Sequence, residues 1–484
     1  MNSRIVAAVG VGLVLLLAGC TVPTVDNEGP QSLDDGELGH VDGYEYDDSI
    51  DVDTSDGLDE GELAAVTKRA MARIEQDRRL NFEQTVPVEV ISREEFQSGS
   101  ATERSYDALD EQLWRAAFVI GDDSSVDEEF SALYGPSVQG YYTSTQGGQI
   151  VLVADDPDAV EVDRGTLVHE LTHALQDQHF GINRDTATRD ERLGWLGLLE
   201  GEGNYVMDRY EERCGTEWEC IDPVEGGSGA SQQSFNEGLY LSIFHPYSDG
   251  PQFVHELQER EGWEGVNAAY EDYPTSTAQI IDPGRYPDDP GTDVDITDRS
   301  TDAWEPVGED GPRSETLGEA GLFAAFWYNG VIEQQHVTSA SGEYARYNYA
   351  HPLTNGWDGD SLVVYENGNE QAHVFESEWE TESDAEEFAS GYAELLTANA
   401  AESIDNRTYQ VDEGESFAGA YRLIRDGTTV TVVHAPTVEA LDEIHAVEEP
   451  VTASVDTPSA VSATGGDQTA AAASTGSSDS IAAH

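Results

Sequence analysis

Lysine is almost absent from this chain of 484 residues. Lys68 stands alone beside 22 arginines, whereas aspartate and glutamate number 97, and the formal net charge at pH 7 is −74. So few basic residues argue against a nucleic-acid partner, because phosphate backbones are bound by basic surfaces. In about 1 M salt the screening length falls to about 3 Å, so dense negative charge no longer repels itself strongly. The composition therefore predicts a halophile protein.

Cysteine is also scarce, with only Cys20, Cys214 and Cys220 in the chain. This excludes a disulfide-rich scaffold and a cluster of thiolate metal ligands. Cys214 and Cys220 stand close together in the stretch CGTEWEC. Outside the cell such a pair predicts a small disulfide, and the alternative is two free thiols.

Long hydrophobic runs are missing except at the N-terminus, MNSRIVAAVGVGLVLLLAGC. This run is too short and too terminal for an ordinary membrane-spanning helix. Its end, LAGC, resembles a lipoprotein lipobox, which implies cleavage before Cys20 and a lipid on its thiol. The alternative is a plain secretory signal with an incidental cysteine. We therefore expect a protein anchored by lipid at the outer face of the cell membrane.

Composition and periodicity divide the rest of the chain. We expect a signal peptide at 1–20, an acidic flexible spacer at 21–60, a first domain at 61–312, a second at 313–450 and a disordered tail at 451–484. In the first domain we predict helices at 63–80 and 108–119, a strand at 86–91, and a hairpin at 138–155 that turns at Gly147 and Gly148. The predicted fold class is α+β, with a mostly helical first domain that carries a small antiparallel sheet.

The motif H-E-x-x-H follows this hairpin, in the stretch TLVHELTHALQDQHF. We predict a helix here, capped by Asp163 or Thr166. On a helix, His169 and His173 share one face and present two imidazoles to the same point, as a zinc ion needs. Glu170 can then reach a water on the metal without being a ligand. The alternative is a pair of unrelated surface or core histidines.

A third ligand is expected on a second helix, 194–213, which contains the stretch EGEGNY from Glu200. This stretch resembles the third-ligand helix of the gluzincin metallopeptidases, which often reads E-G-x-A-x-Y. The resemblance implies that Glu200 binds zinc and that Gly203 takes the small-residue place, with Glu202 as the second choice. Two exposed glutamates on a solvated helix are the structural alternative.

The stretch that begins HPYSDG at residue 245 resembles a helix start in aminopeptidase-like gluzincins. The resemblance implies that Tyr247 donates a hydrogen bond to the oxyanion and that Gly250 opens the helix. Tyr205 is the next candidate for the donor, and a tyrosine packed at a helix end is the alternative for Tyr247. Taken together, the motifs resemble uncharacterised H-E-x-x-H surface lipoproteins of haloarchaea and related secreted bacterial proteins, a group that implies no particular substrate.

The C-terminal part shows a different pattern. After a predicted helix at 318–336, two β-β-α units follow, with hairpins at Asn367-Gly368 and Asp426-Gly427 and with Ser383 as the cap of the first unit's helix. We expect them to pack as a small α+β domain. His373 and His434 fall within the strands without other ligands nearby and are interpreted as incidental.

These residues predict metal-assisted hydrolysis of peptide bonds. His169, His173 and Glu200 would hold Zn²⁺, Glu170 would be the general base, and the hairpin would bind extended substrate by strand addition. The alternative from another functional class is a catalytically idle surface binding protein that kept the metal helix.

Overall fold

The computed structural model describes residues 29–33, 36–98, 106–134, 138–154, 156, 160–221, 235–308 and 313–446. The predicted signal peptide with Cys20 and the predicted tail at 451–484 lie outside the described residues. The helices in chain order are α1 Glu60–Arg78, α2 Arg93–Ser98, α3 Ala108–Ala116, α4 Val126–Tyr134, α5 Arg164–Phe180, α6 Arg189–Arg213, α7 Glu237–Ser248, α8 Gly250–Ala269, α9 Thr277–Ile281, α10 Gly318–Tyr328, α11 Glu382–Ala398 and α12 Val438–Ile444. The strands are β1 His40–Val41, β2 Tyr44–Glu45, β3 Val88–Ser92, β4 Gly140–Thr143, β5 Gln149–Ala154, β6 Glu305–Pro306, β7 Ser314–Glu315, β8 Trp357–Asn367, β9 Glu370–Trp379, β10 Glu402–Ser403, β11 Thr408–Val411, β12 Gly419–Asp426 and β13 Thr429–Ala435.

The fold is α+β, as the sequence predicts. The N-terminal half is mostly helical and carries a sheet of three strands in the order β3-β5-β4. The predicted hairpin is β4 and β5, which are antiparallel, but β3 pairs with β5 in parallel, so the predicted small antiparallel sheet is a mixed sheet in its third strand. The reason is the long connection through α2, α3 and α4, which lets the chain return in the same direction.

Four helices surround the core of the N-terminal half. Buried apolar side chains of α1, α5, α6 and α8 form one cluster together with residues of β4 and β5. The capping box of Asp59 and Glu62 starts α1, and Asp163 caps α5 by accepting a hydrogen bond from the Thr166 N–H. At the end of α6, Cys214 and Cys220 form a disulfide, with Cα atoms 5.5 Å apart.

Part of the predicted spacer belongs to the folded body. Val41 and Leu58 are buried, and the Gly39 N–H donates to Glu75 of α1 over 3.0 Å. The folded part therefore begins upstream of the predicted residue 61, since Leu33 also packs on this core and its N–H donates to the Glu83 carbonyl.

The C-terminal half is built on one antiparallel sheet of eight strands, in the order β10-β11-β12-β13-β9-β8-β6, with β7 also paired to β8. The two predicted β-β-α units are β8-β9-α11 and β12-β13-α12, and they lie side by side because β13 pairs with β9. Each hairpin turns through a glycine at positive φ, Gly368 at 66° and Gly427 at 65°.

Three details differ from the sequence predictions in this half. The predicted helix at 318–336 ends at Tyr328 and continues only as a separate 3-10 helix, Gln334–Thr338, because Gly330 takes a positive φ of 74° between them. The cap of α11 is Thr381 and not Ser383, because the Thr381 side chain accepts from the Asp384 N–H. The sheet begins upstream of residue 313, since β6 pairs with β8.

The two halves share a hydrophobic core. One cluster of buried side chains joins α3, α7 and α10 to β8, β9 and α11. The predicted division at 312/313 therefore does not separate two independent cores. Among the described residues, no helix combines the length and the apolar character needed to cross a membrane.

Candidate metal centre

Helix α5 carries the H-E-x-x-H motif into the interior. It runs without interruption from its Asp163 cap to Gly181, which leaves the helical path at a φ of 67°. Because the two histidines are one turn apart, they project from one face of α5 toward α6. His169, Glu170 and His173 are each at most 3% exposed.

Glycines let α6 approach α5 closely. A Cβ atom at Gly203 would lie 2.9 Å from Cε1 of His169, so no larger residue fits there without a shift. Gly201, one position after Glu200, meets the backbone of Gly250 at the start of α8. The small residues of the EGEG stretch therefore hold α6 against both α5 and α8, and Glu200 is buried between them.

Three potential ligand atoms converge between α5 and α6. Nε2 of His169 lies 3.1 Å from Oε2 of Glu200, Nε2 of His173 lies 3.2 Å from the same oxygen, and the two nitrogens are 3.0 Å apart. Among the described residues, this is the one group of three or more His, Cys, Asp or Glu side chains that could hold a metal ion. The structure thus brings together the three residues that the sequence proposes as ligands.

The two histidines and Glu200 compensate each other's charge in this buried group. Burial alone would raise the pKa of Glu200, but the charge of His173 and hydrogen bonds from both histidines lower it to about 2. Burial opposes the charged form of His173 too, yet Glu200 raises its pKa to about 9. Burial and the charge of His173 lower the pKa of His169. Without a metal, one proton on His173 therefore compensates the Glu200 carboxylate.

A zinc ion fits the same place. Three ligands bound to zinc at about 2.0–2.1 Å with tetrahedral angles have their ligand atoms about 3.3–3.4 Å apart. The observed separations of 3.0–3.2 Å are slightly shorter and would open by a few tenths of an ångström. Two imidazoles and one carboxylate are also a donor set that zinc prefers, and they leave one position for a water or a substrate.

Glu170 is buried beside this group, and its contact with the Tyr142 backbone N–H falls short of hydrogen-bond geometry. Neither of its carboxylate oxygens has a partner of normal geometry. Burial raises the pKa of Glu170 to about 8, against the charge of His173 and the backbone N–H of Tyr142, which both favour the carboxylate. A buried carboxyl group with no partner is costly, so its presence points to a ligand or water that it serves.

Glu202, the second choice for the ligand, has other partners. Its carboxylate is paired with the buried Arg78 of α1 and accepts a hydrogen bond from the Tyr270 hydroxyl. Glu200 and Glu202 are two positions apart on α6, so they point to different sides of the helix. The structure therefore places Glu200 with the histidines and Glu202 away from them.

The two tyrosines proposed as oxyanion donors both contact other side chains. Tyr205 is on α6, and its hydroxyl contacts Nδ1 of His255 on α8 at 3.2 Å. Tyr247 is near the end of α7, is buried, and stacks on Phe244 in the core shared by the two halves. Gly250 does begin α8, as the sequence predicts. The role of Tyr247 at the oxyanion stays a prediction.

Sequence reasoning missed one neighbour of the group, Gln176. Its Oε1 lies 2.7 Å from Nδ1 of His173, three positions earlier on the same helix. That spacing puts the two side chains on one face of α5, so their contact could have been predicted from the stretch HALQ. The role of Gln176 depends on which nitrogen of His173 faces the proposed metal ion, and only the structure shows this.

Comparison with known proteins bears on the C-terminal half only. A family described as "Domain of unknown function (DUF8575)" matches residues 305–445, from β6 to α12. The matched part is less than a third of the chain, contains none of the proposed ligands, and begins where the eight-stranded sheet begins. No curated protein and no solved structure matches the chain.

Proposed function

We propose that this chain is a zinc-dependent metallopeptidase of the gluzincin type. One observation carries the proposal, which is the convergence of the His169, His173 and Glu200 ligand atoms within 3.0–3.2 Å beside an unpartnered Glu170. A structural zinc site normally has four protein ligands, whereas catalytic sites have three and keep one position open. A purely structural site would also have no use for Glu170.

The roles of the side chains follow from these positions. Zinc, when bound, supplies a Lewis acid that activates water and polarises a carbonyl group. Glu170 has no competing hydrogen bond, so its carboxylate is available to take the proton of the attacking water and to pass it to the leaving amine. Burial raises the pKa of Glu170 in the metal-free chain, and a cation bound beside it would favour the carboxylate form that acts as the base.

The strand β4 supports a polypeptide as the substrate. It is one of the two edge strands of its sheet as described, and the Val153 N–H donates to the Gln139 carbonyl at its start. Hydrogen-bonded pairs alternate along an antiparallel ladder, so the backbone groups of Gly140 and Tyr142 turn away from β5. The Tyr142 N–H favours the Glu170 carboxylate less than the charge of His173 does, but it puts this edge beside the proposed centre. An extended peptide added to β4 would therefore run past Glu170.

One observation favours the alternative of a catalytically idle surface protein. The four residues of the centre are buried, and all of β4 is buried as well. In the described part of the chain these side chains therefore offer almost no surface to a substrate. A chain that binds zinc but never opens would be an inert scaffold.

The test compares three forms of the chain purified in molar salt, namely wild type, Glu170→Gln and His169→Ala. We expect wild type to contain zinc and to cleave members of a mixed peptide library, read by mass spectrometry. Glu170→Gln should keep zinc but lose nearly all cleavage, because an amide cannot accept the water proton. Zinc without cleavage in wild type would favour the idle protein, and equal cleavage in Glu170→Gln would contradict the proposed base.

We also infer a lipid anchor at Cys20 from the LAGC stretch. Cys20→Ser should leave the protein unprocessed or release it from membranes into the medium. An unmodified mature N-terminus at another position, found by mass spectrometry, would contradict this inference.

A further inference from the structure

A line of buried hydrogen bonds leads away from the proposed metal centre at His173. The Nδ1 atom of His173 contacts Oε1 of Gln176 at 2.7 Å. The Gln176 amide nitrogen donates to the Leu199 carbonyl over 2.9 Å and to the Tyr270 hydroxyl over 2.7 Å. Gln176 thus touches one proposed ligand and the backbone next to another, since Leu199 precedes Glu200.

The Leu199 carbonyl fixes the orientation of the Gln176 amide. A carbonyl oxygen can only accept a hydrogen bond, so the amide nitrogen must face Leu199 and the amide oxygen must face His173. That oxygen is also only an acceptor, so Nδ1 of His173 must carry a proton. In the neutral ring the lone pair then sits on Nε2, the nitrogen that faces Glu200 and the proposed zinc.

Beyond Gln176 the line continues to a buried ion pair. The Tyr270 hydroxyl accepts from Gln176 and donates to Glu202, whose other carboxylate oxygen is paired with Arg78. Arg78 donates in turn to the Asn267 side chain and lies over the Trp263 ring, 4.4 Å from its centroid. The four residues Gln176, Tyr270, Glu202 and Arg78 are each at most 2% exposed. We call this set the relay.

The relay connects four elements at a cost in stability. Gln176 lies on α5, Glu202 on α6 and Arg78 on α1, while Tyr270 directly follows α8. Burying a charged pair and an amide costs free energy that apolar residues of the same volume would not cost. We therefore expect these buried polar residues to have a role. At one end of the relay, Gln176 contacts His173, a proposed metal ligand.

We propose that Gln176 is a positioning residue for the metal centre, held in place by Tyr270, Glu202 and Arg78. It keeps His173 in the tautomer whose Nε2 can bind zinc, and it fixes the direction of the ring. The proposal rests on the proposed function in so far as it takes His173 to be a zinc ligand. Partners of this kind raise metal affinity by about 10- to 100-fold.

The test measures zinc affinity by competition with a chromogenic chelator, in wild type and in three variants. Gln176→Met keeps the length of the side chain but removes both hydrogen-bonding groups, and we expect affinity to fall about 10- to 100-fold. Tyr270→Phe removes one hydroxyl inside the relay and should lower the affinity in the same direction by a smaller factor. Tyr273→Phe is the matched control, because its ring packs on the same Trp195 but its hydroxyl donates to Glu191, outside the relay.

A second readout separates positioning from general packing. With Co²⁺ in place of zinc, the visible absorption band reports the ligand geometry, and it should shift in Gln176→Met and Tyr270→Phe but not in Tyr273→Phe. Thermal unfolding of the metal-free variants shows whether each one folds. Should Gln176→Met misfold, Tyr270→Phe decides the question alone.

The possible failures can be told apart. Wild-type affinity and an unchanged Co²⁺ spectrum in Gln176→Met and Tyr270→Phe would overturn the relay and leave the metal centre standing. A wild-type chain that binds no zinc would overturn the metal centre and the relay together. Equal losses in Tyr270→Phe and Tyr273→Phe would show a packing effect and would also overturn the relay.

Discussion

At the scale of single residues, two glutamates on one helix have opposite surroundings. Glu200 is compensated by His169 and His173, whereas Glu202 is compensated by Arg78 and Tyr270. The sequence contains both within EGEG and cannot rank them by composition, because the partner of Glu202 lies 124 positions away on α1. Only the packing of α1 against α6 separates the ligand from the structural carboxylate.

The first prediction uses this difference. Glu200→Ala should greatly weaken zinc binding, because one of three ligands is lost. Glu202→Ala should keep one zinc per chain but lower the free energy of unfolding by about 3–5 kcal/mol, because Arg78 is left as a buried unpaired charge. Metal analysis and denaturant unfolding of both variants in molar salt measure the two effects. The opposite result, with zinc lost in Glu202→Ala and kept in Glu200→Ala, would exchange the two roles.

A residue of the centre can be predicted from the sequence when its partners are close to it along the chain, and not when they are far away. His169, Glu170 and His173 follow from helical spacing alone. Glu200 follows from a resemblance in a short stretch. Gln176 and Tyr270 are 94 positions apart in the sequence, so no local pattern predicts their contact. The position of Tyr247 relative to the centre depends on how α7 packs, so the sequence alone does not predict it either.

At the scale of elements, spacing and turn residues predict the helices and strands correctly where no contact between distant parts of the chain decides the structure. Helical spacing predicts α1 and α5, and the glycine turn between two β-rich runs predicts β8 and β9, although α1, α5 and β8 are buried on more than one face. The direction of β3 relative to β5 was missed, since it depends on the path of the chain through α2, α3 and α4 and not on the strands themselves. The cap of α11 was missed because Thr381 and Ser383 are both suitable residue types.

The second prediction concerns that cap. Thr381→Ala should lower the free energy of unfolding by about 1 kcal/mol, because the Asp384 N–H loses its side-chain partner. Ser383→Ala lies inside α11 and should change it by less than about 0.5 kcal/mol. Denaturant unfolding of the two variants beside wild type makes the comparison. A larger effect of Ser383→Ala would restore the cap that the sequence suggested.

At the scale of the whole molecule, the two halves meet around buried carboxyl groups. Asp190 at the start of α6 accepts hydrogen bonds from Thr277, and Asp360 of β8 accepts from the backbone at Leu317 and Gly318. Glu319 of α10 is buried near Asp190, and burial raises its pKa to about 8, with Arg285 opposing the shift and Asp190 adding to it. This junction joins the N-terminal helices to the sheet of the C-terminal half.

The third prediction follows from the sign of that shift. The folded chain keeps a proton on Glu319 that the unfolded chain releases above its ordinary pKa of 4.5, so stability falls as the pH rises from 4.5 to about 8. Glu319→Gln removes this dependence and should be more stable than wild type at pH 9, by on the order of a few kcal/mol. Thermal unfolding between pH 5 and pH 9 in molar salt gives the comparison. Glu387→Gln, at an exposed position of α11, is the control for the change in charge. A Glu319→Gln chain with the same pH dependence as wild type would contradict the prediction.

Four of the few basic residues are buried in the described part of the chain. Arg73 and Arg78 are fully buried, and Arg69 and Arg115 nearly so. Most of the 97 acidic residues are not among the buried side chains, so the surface is strongly negative, and the prediction of a halophile protein rests on that surface. The halophile origin stays a prediction.

The central claim is one zinc ion held by His169, His173 and Glu200. The most direct measurement is the zinc content and affinity of wild type beside His169→Ala, both purified and dialysed in molar salt with excess Mg²⁺, so that the acidic surface does not hold zinc. The account predicts about one zinc per chain in wild type and almost none in His169→Ala. Equal zinc in both proteins, or none in wild type after zinc is offered, would contradict it.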